Sequence, residues 1–400
     1  MSGEPESFKC GRISDLTMKP FPTETIKDLF VQLVKFPTIN PPGDTKEVVE
    51  FLNQWFIEHK IPSEVITHEK DGLTLHNIIA RLGMGQKKIL LSGHLDVVPP
   101  GAEDGWVAND PFSCCEQEGL VYGRGTADMK GGVAGLLATM LILADEEAFL
   151  SEYELVFLGS ADEEAGMTGA ERLLETGVME GAACLVIPEA TNLHVAVAEK
   201  GVFWCKVTTS GKAAHGSMPQ EGISAIESMY EIIYLLQQSL KEGRSNTFLG
   251  KTTLNIGTIH GGTKINIVPD NCVIETDFRL IPEDAVGFED KLRTLLGQAS
   301  HEVHLEVTHI LPPVQSDPRH PFVVELCKLS GNPDPIGVTY ATDGAILVGE
   351  PQSPIPFVVF GPGDPSIIHK SNEHIRFDDV QRFSEVLAKA LLSSFPTGAN

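Results

Sequence analysis

ILLSGHLD, residues 89–96, is an apolar run of strand length that ends in a histidine and an aspartate. ELVFLGSADEEAG (154–166) repeats the plan with Glu164, and ACLVIPEAT (183–191) repeats it with Glu189. PFVVFGPG (356–363) is followed shortly by His369 in IIHKSNE (367–373). In an open α/β sheet, ligands bind beyond the carboxyl ends of the strands. Residues scattered along the chain are therefore expected to meet at one edge of one sheet. Asp128, in the glycine-rich YGRGTADMKGG (122–132), joins His94, Glu164, Glu189 and His369 without a preceding strand. Two imidazoles and three carboxylates suit two zinc-like ions, with one carboxylate bridging. Hydrolysis is the chemistry to expect of such a set.

The surrounding periodicity fits a sheet covered on both faces. Thr23 followed by Ile26, Leu29, Phe30, Leu33 and Val34 predicts an N-cap and an amphipathic helix. PTINPPGD (37–44) breaks it. A second helix is expected over about 44–59, with Val48, Phe51, Leu52, Trp55 and Phe56 inward. Strands near 75–82, 88–98, 153–160 and 183–188 then alternate with helices near 131–145 and 167–177. That alternation predicts an α/β fold with a mostly parallel sheet flanked by helices.

The pattern changes after about residue 198. VFWCKVTTSG reads as a strand, ISAIESMYEIIYLLQQSL as a helix, and TTLNIGTIHGG and INIVPDNCVIETDFRL as consecutive strands. AVGFEDKLRTLLGQAS then reads as a helix and HLEVTHIL as a last strand. The order β-α-β-β-α-β is a complete ferredoxin-like unit. Residues 199–311 are thus expected to form an inserted domain, with 1–198 and 312–400 as the two parts of the catalytic domain. A length of 400 residues also favours two domains, being too great for one ordinary compact domain.

Composition narrows the partners. With 30 Lys and Arg against 55 Asp and Glu, the net charge of −25 argues against nucleic acid and anionic membrane. The first twenty residues lack the apolar run of a secretory signal. GGVAGLLATMLILA (131–144) is too short to span a bilayer and reads as a buried core helix. Seven cysteines without a C-x-x-C spacing fit reduced thiols in a cytoplasmic protein.

Each site residue has a plainer reading when taken alone. His94 could be a satisfied histidine at a strand end. Asp96, two residues on, lies on the same side of an extended chain and is assigned as the orienter of His94. Asp128 could sit in an ordinary loop, and Lys130 among glycines evokes a phosphate cradle, although no phosphate-loop motif is present. Asp162, Glu163 and Glu164 form an acidic run that is costly after a buried strand unless cations or donors answer it. On a surface it would merely cap the next helix. His215, in GKAAHGSMPQEG, is a loop histidine, and Arg279 could simply pair with Asp277 or Glu275.

Taken together, the chain resembles the zinc metallopeptidase and deacylase family of acetylornithine deacetylase, succinyl-diaminopimelate desuccinylase, aminoacylase and carboxypeptidase G. The resemblance covers nearly the whole chain. It rests on LLSGHLDVVP, WVANDPFSCCEQEGLVYGRGTADMKGG, GSADEEAG, GKAAHGSMPQEGISAI, KINIVPD and HKSNE. It implies one metal on His94, Asp128 and Glu189 and another on Asp128, Glu164 and His369, with Asp128 bridging. The ions would be zinc, with cobalt or manganese as alternatives. It also implies Glu163 as general acid/base and a cis peptide bond after Asp128. His215 would reach the active site of the other subunit of a homodimer formed through the inserted domain. Asn266 and Arg279 would contact the carboxylate end of the substrate. The motif wording looks closer to the acetylornithine deacetylase and succinyl-diaminopimelate desuccinylase branch. The expected substrate is therefore a small N-acyl amino acid, with a carboxypeptidase or dipeptidase as the alternative and a non-catalytic metal-binding homologue as the remoter one.

Overall fold

The computed structural model describes residues 18–397; the leaderless reading of the first residues falls mostly outside that range. Nine strands form the main sheet, ordered Ser63–Lys70, Leu73–Leu82, Tyr153–Ser160, Lys87–His94, Ala182–Ile187, Phe357–Val359, Ala196–Glu199 and Val314–Gln315. Ile336–Val338 adds to Ala196–Glu199. The four central strands from Tyr153–Ser160 to Phe357–Val359 run parallel, while the flanking pairs at both ends are mostly antiparallel. His94 lies opposite Ser160 in this register. Carboxyl ends therefore line up at one edge, and the central strands are apolar because both faces are covered.

Helix Gly131–Leu143 is buried almost all round. It is held between the sheet and the C-terminal helix Phe377–Ser394, which the sequence reading had not singled out. A Cβ on Gly135 would lie 2.4 Å from the Phe383 ring, so the two helices touch where that side chain is absent.

Differences from the sequence expectation have local causes. The first helix spans Thr23–Lys35, but Pro22 holds the cap position and Thr23 caps nothing. The second spans Lys46–Glu58, with Val49 buried in place of the half-buried Phe51. Strand Ser63–Lys70 was not foreseen because its sequence, SEVITHEK, carries little apolar signal at an exposed edge. Its turn was nevertheless written in the chain. Asp71 and Gly72 both have positive φ, 50° and 82°, as a two-residue hairpin turn requires.

Residues 201–311 build a second sheet, ordered Thr253–Gly261, Asn271–Leu280, Gly201–Ser210 and Val303–Leu311, antiparallel throughout. Helices Ala225–Lys241 and Phe288–Leu296 cover one face of it. Phe203, Ile232, Phe278 and Leu292 lie in its separate core. Ser224 caps the longer helix by accepting from the amide of Glu227, 3.2 Å away.

Candidate metal centre

The edge predicted from the strands is where the candidate ligand side chains converge. His94 ends its strand, Glu164 and Glu189 follow theirs by a short turn, and His369 arrives on the longer segment after Phe357–Val359. Asp128 comes from the turn Thr126–Lys130, inside which its own backbone leaves helical geometry (φ −124°, ψ 90°). The Asp128–Met129 peptide bond is cis. Gly125 opens this turn at φ 84°, and a Cβ there would meet Val97 at 2.7 Å, so only glycine fits.

Asp128 stands between the two histidines. Its Oδ1 is 3.1 Å from His94 Nε2, and its Oδ2 is 3.0 Å from His369 Nε2. Glu189 Oε1 flanks His94 Nε2 at 3.4 Å, and Glu164 Oε2 flanks His369 Nε2 at 3.3 Å. The symmetry gives two groups of one imidazole and one terminal carboxylate that share one carboxylate. The donor types and convergence fit two divalent ions. Glu164 Oε1, buried and without a hydrogen-bond partner, is a further free donor atom in the same place.

Electrostatics point the same way. Burial opposes a charge on His94, but the Asp128 and Glu189 carboxylates outweigh it and hold the imidazole well above its usual range. His369 is pushed up to about 10, first by Asp128 and then by Glu164. Burial would raise Asp128, yet its bonds to His369 and His94 draw it below the usual carboxylate range. Burial raises Glu189 to about 7, helped by Asp128. Glu163 is raised well above its ordinary value, chiefly by burial and also by neighbouring Glu164, Glu189 and Asp343. The carboxylates thus favour positive charge in the same places where cations would sit.

The supporting groups explain how so much negative charge is held. His94 Nδ1 meets the main-chain carbonyl of Asp96 at 2.9 Å, while the nearer carboxylate oxygen of Asp96 is 3.8 Å away. Orientation of His94 by Asp96 thus runs through its backbone. The carboxylate instead accepts the amides of Glu163 and Glu164, each at 3.2 Å. Asp162 is answered by Lys70 at 2.6 Å and by Thr168. Donors therefore answer Asp162 within the acidic run, while Glu164 Oε1 is left without one. Lys130 is buried with Nζ on the Phe36 carbonyl at 2.7 Å, which leaves no phosphate cradle.

Glu373 escaped the sequence reading although HKSNE contains it. It is fully buried, and its Oε1 accepts the amides of Ala127 and Asp128 at 2.8 and 3.0 Å. Its Oε2 pairs with Arg124 at 2.5 Å. It therefore fixes the loop that presents Asp128. The available signal was a charged complement, Arg124, inside YGRGTADMKGG. Asp343 and Glu199 were missed as well. Both are buried; Asp343 bonds to Ser160, and Thr342 donates to Glu199 at 2.7 Å.

The residues assigned to substrate lie apart from this cluster. His215 and Asn266 are exposed neighbours, with Gly216 N donating to Asn266 O at 2.8 Å. His215 Nδ1 is 2.8 Å from Ser217 Oγ. Among the described residues neither side chain bonds to the ligating cluster of its own chain. Arg279 forks onto Asp277 at 2.9–3.1 Å, the ion pair that the plainer reading allowed.

Comparison with known proteins gives a consistent pattern. The model of peptidase family M20/M25/M40 matches residues 90–393. A protein of Staphylococcus aureus (strain MSSA476) named "probable succinyl-diaminopimelate desuccinylase" is 29% identical over 395 residues, covering 90% of this chain and 95% of that one. An acetylornithine deacetylase of Vibrio campbellii is 32% identical over 364 residues, covering 88% and 92%. Among solved structures, a tripeptidase of Staphylococcus aureus superposes with a TM-score of 0.72 at 21% identity, covering 93% of this chain and 98% of that one.

Proposed function

The chain belongs to peptidase family M20/M25/M40, and from that membership we propose that it removes the acyl group from a small N-acyl amino acid. It is a hydrolase of carbon–nitrogen bonds. The observation that carries the finer reading is Asp128 with one histidine on each oxygen and one outer glutamate beside each histidine. His94 and Glu189 would hold one divalent ion, Glu164 and His369 the other, and Asp128 both. Zinc suits this set, as do cobalt and manganese.

Two such ions, when bound, supply Lewis acidity toward an amide carbonyl and a water acidic enough to attack near neutral pH. The remaining work falls to the chain. Glu163, next to a ligating glutamate but assigned no metal itself, takes the proton of the attacking water on its carboxylate. It returns that proton to the nitrogen of the leaving amine. Burial raises its affinity for protons above that of an ordinary carboxylate, which favours holding the proton between the two transfers. His215 has Nδ1 tied to Ser217, which leaves Nε2 to donate to the developing oxyanion. Because it is exposed on the inserted domain, it would serve the site of a second copy. Asn266, in the loop beside it, and Arg279, near the far end of strand Asn271–Leu280, would contact the carboxylate end of the substrate, the latter by releasing Asp277.

A homodimer through residues 199–311 is supported by an uncovered apolar stripe. Ile226, Tyr230 and Tyr234 recur every four residues along one helix and are 44%, 72% and 54% exposed. Strand Thr253–Gly261 offers a free edge beside them. The six described cysteines are unbridged, which supports a reducing, cytoplasmic setting.

The substrate assignment is tested with the metal-loaded protein on N-acetylornithine, N-succinyl-diaminopimelate, N-acetylmethionine and several dipeptides. Faster amine release from an N-acyl amino acid than from every dipeptide is expected. The reverse order would replace the deacylase by a dipeptidase or carboxypeptidase.

A further inference from the structure

PTINPPGD (37–44) reads in sequence only as a helix breaker, yet it reaches the buried side of the centre. Thr38 Oγ1 donates to Leu95 O at 2.6 Å, Val97 N to Thr38 O at 2.9 Å and Asn40 N to Val97 O at 2.8 Å. The segment is therefore laced alongside the residues that follow His94. Gly43, at φ 76°, folds the chain back over Asn40. A Cβ on Gly43 would lie 2.9 Å from the carboxamide carbon of Asn40, so the turn holds that carboxamide closely.

Asn40 is 5% exposed, and its Nδ2 lies 2.8 Å from Asp96 Oδ2 and 3.0 Å from Asp162 Oδ1. Asp96 and Asp162 are both fully buried. Asp162 has Lys70 as a cationic partner, whereas the hydrogen bonds to the Asp96 carboxylate come from neutral donors: Asn40 and the amides of Glu163 and Glu164. A carboxamide places two uncharged N–H donors on one atom. An aspartate there would add a third negative charge, a serine would serve one carboxylate, and an alanine would serve neither.

We propose that Asn40 is a positioning residue of the hydrolytic site: by joining Asp96 to Asp162 it fixes the carboxylate that holds the Glu163–Glu164 turn, and so sets where Glu163 and Glu164 point. This rests on the roles given to those glutamates above. A displacement of about 1 Å at a reacting group costs about a hundredfold in rate. Because Asn40 touches no substrate in this account, kcat falls while KM holds.

The test uses Asn40→Ala, Asn40→Asp and Asn40→Ser in the full chain, with Glu163→Gln as reference. The expected result is a loss in kcat of about 10- to 100-fold for Ala and Asp, a smaller loss for Ser, and KM within about threefold of wild type. In the metal-free proteins, hydrogen exchange in a peptide spanning 160–167 should accelerate for Ala and Asp, while helix Gly131–Leu143 exchanges as in wild type. Uniform acceleration across the chain, or an unchanged 160–167 peptide, would overturn the proposal. Wild-type kcat in the folded Ala or Ser variant would overturn it too, provided Glu163→Gln is inactive. An active Glu163→Gln would instead remove the reading on which the proposal stands, while the exchange result would still judge the contact itself.

Discussion

At the scale of residues, the candidate centre crowds buried carboxylates around two histidines. Asp128 and Glu189 hold His94 well above its usual range, and Asp128 and Glu164 push His369 up to about 10, so the metal-free site favours the charged form of both rings. The sign follows from these directions. For His369 the contribution to metal-free stability is complete below its ordinary value of about 6.5 and is lost as pH rises toward 10. A divalent ion must displace protons held by these groups, so metal uptake releases protons at pH 7 and tightens as pH rises. Calorimetric titration in buffers of different ionisation heat measures the release. Uptake without released protons would contradict the arrangement of His94 and His369 around Asp128.

At the scale of elements, the core helix Gly131–Leu143 sets the position of Glu189 through Pro188. A Cβ on Gly132 would meet the Pro188 carbonyl at 2.2 Å and its Cβ at 2.8 Å. Helix propensity alone makes Gly132→Ala stabilising by about 1 kcal/mol. The clash should reverse the sign, to a net loss of about 1–2 kcal/mol once overpacking is counted. Denaturant unfolding of the metal-free protein decides between them, and a more stable variant would show that the helix is not seated against Pro188. The same element explains what could be read from sequence. Strands 153–160 and 183–188 were legible because their apolar runs are buried on both faces, and the ligands at their ends follow from that. Asn40 and Glu373 were not legible. The side-chain partners of Asn40 lie 56 and 122 residues away and those of Glu373 lie 245–249 away, so nothing local marks them. Strand Ser63–Lys70 was hidden for the opposite reason: at an exposed edge it needs few apolar residues, and only its Asp71–Gly72 turn announced it.

At the scale of the whole molecule, two sheets with separate cores divide the labour. The larger gathers a compact set of buried carboxylates and two histidines at one edge. The smaller, with its own core, carries His215, Asn266 and Arg279. The β-α-β-β-α-β order was legible because each of its elements carries its own periodicity. The place of His215 was not: its side chain is exposed, bonded to Ser217 and apart from the gathered groups of its own chain. The central claim is that the gathered groups bind two ions and that Glu163 moves the proton. It is tested most directly by metal content and amide hydrolysis measured together on wild type and Glu163→Gln. The account predicts about two ions per chain in both proteins, with turnover reduced at least about a hundredfold in the variant alone. Wild-type turnover in Glu163→Gln, or a wild type that hydrolyses amides with no bound metal, would contradict it.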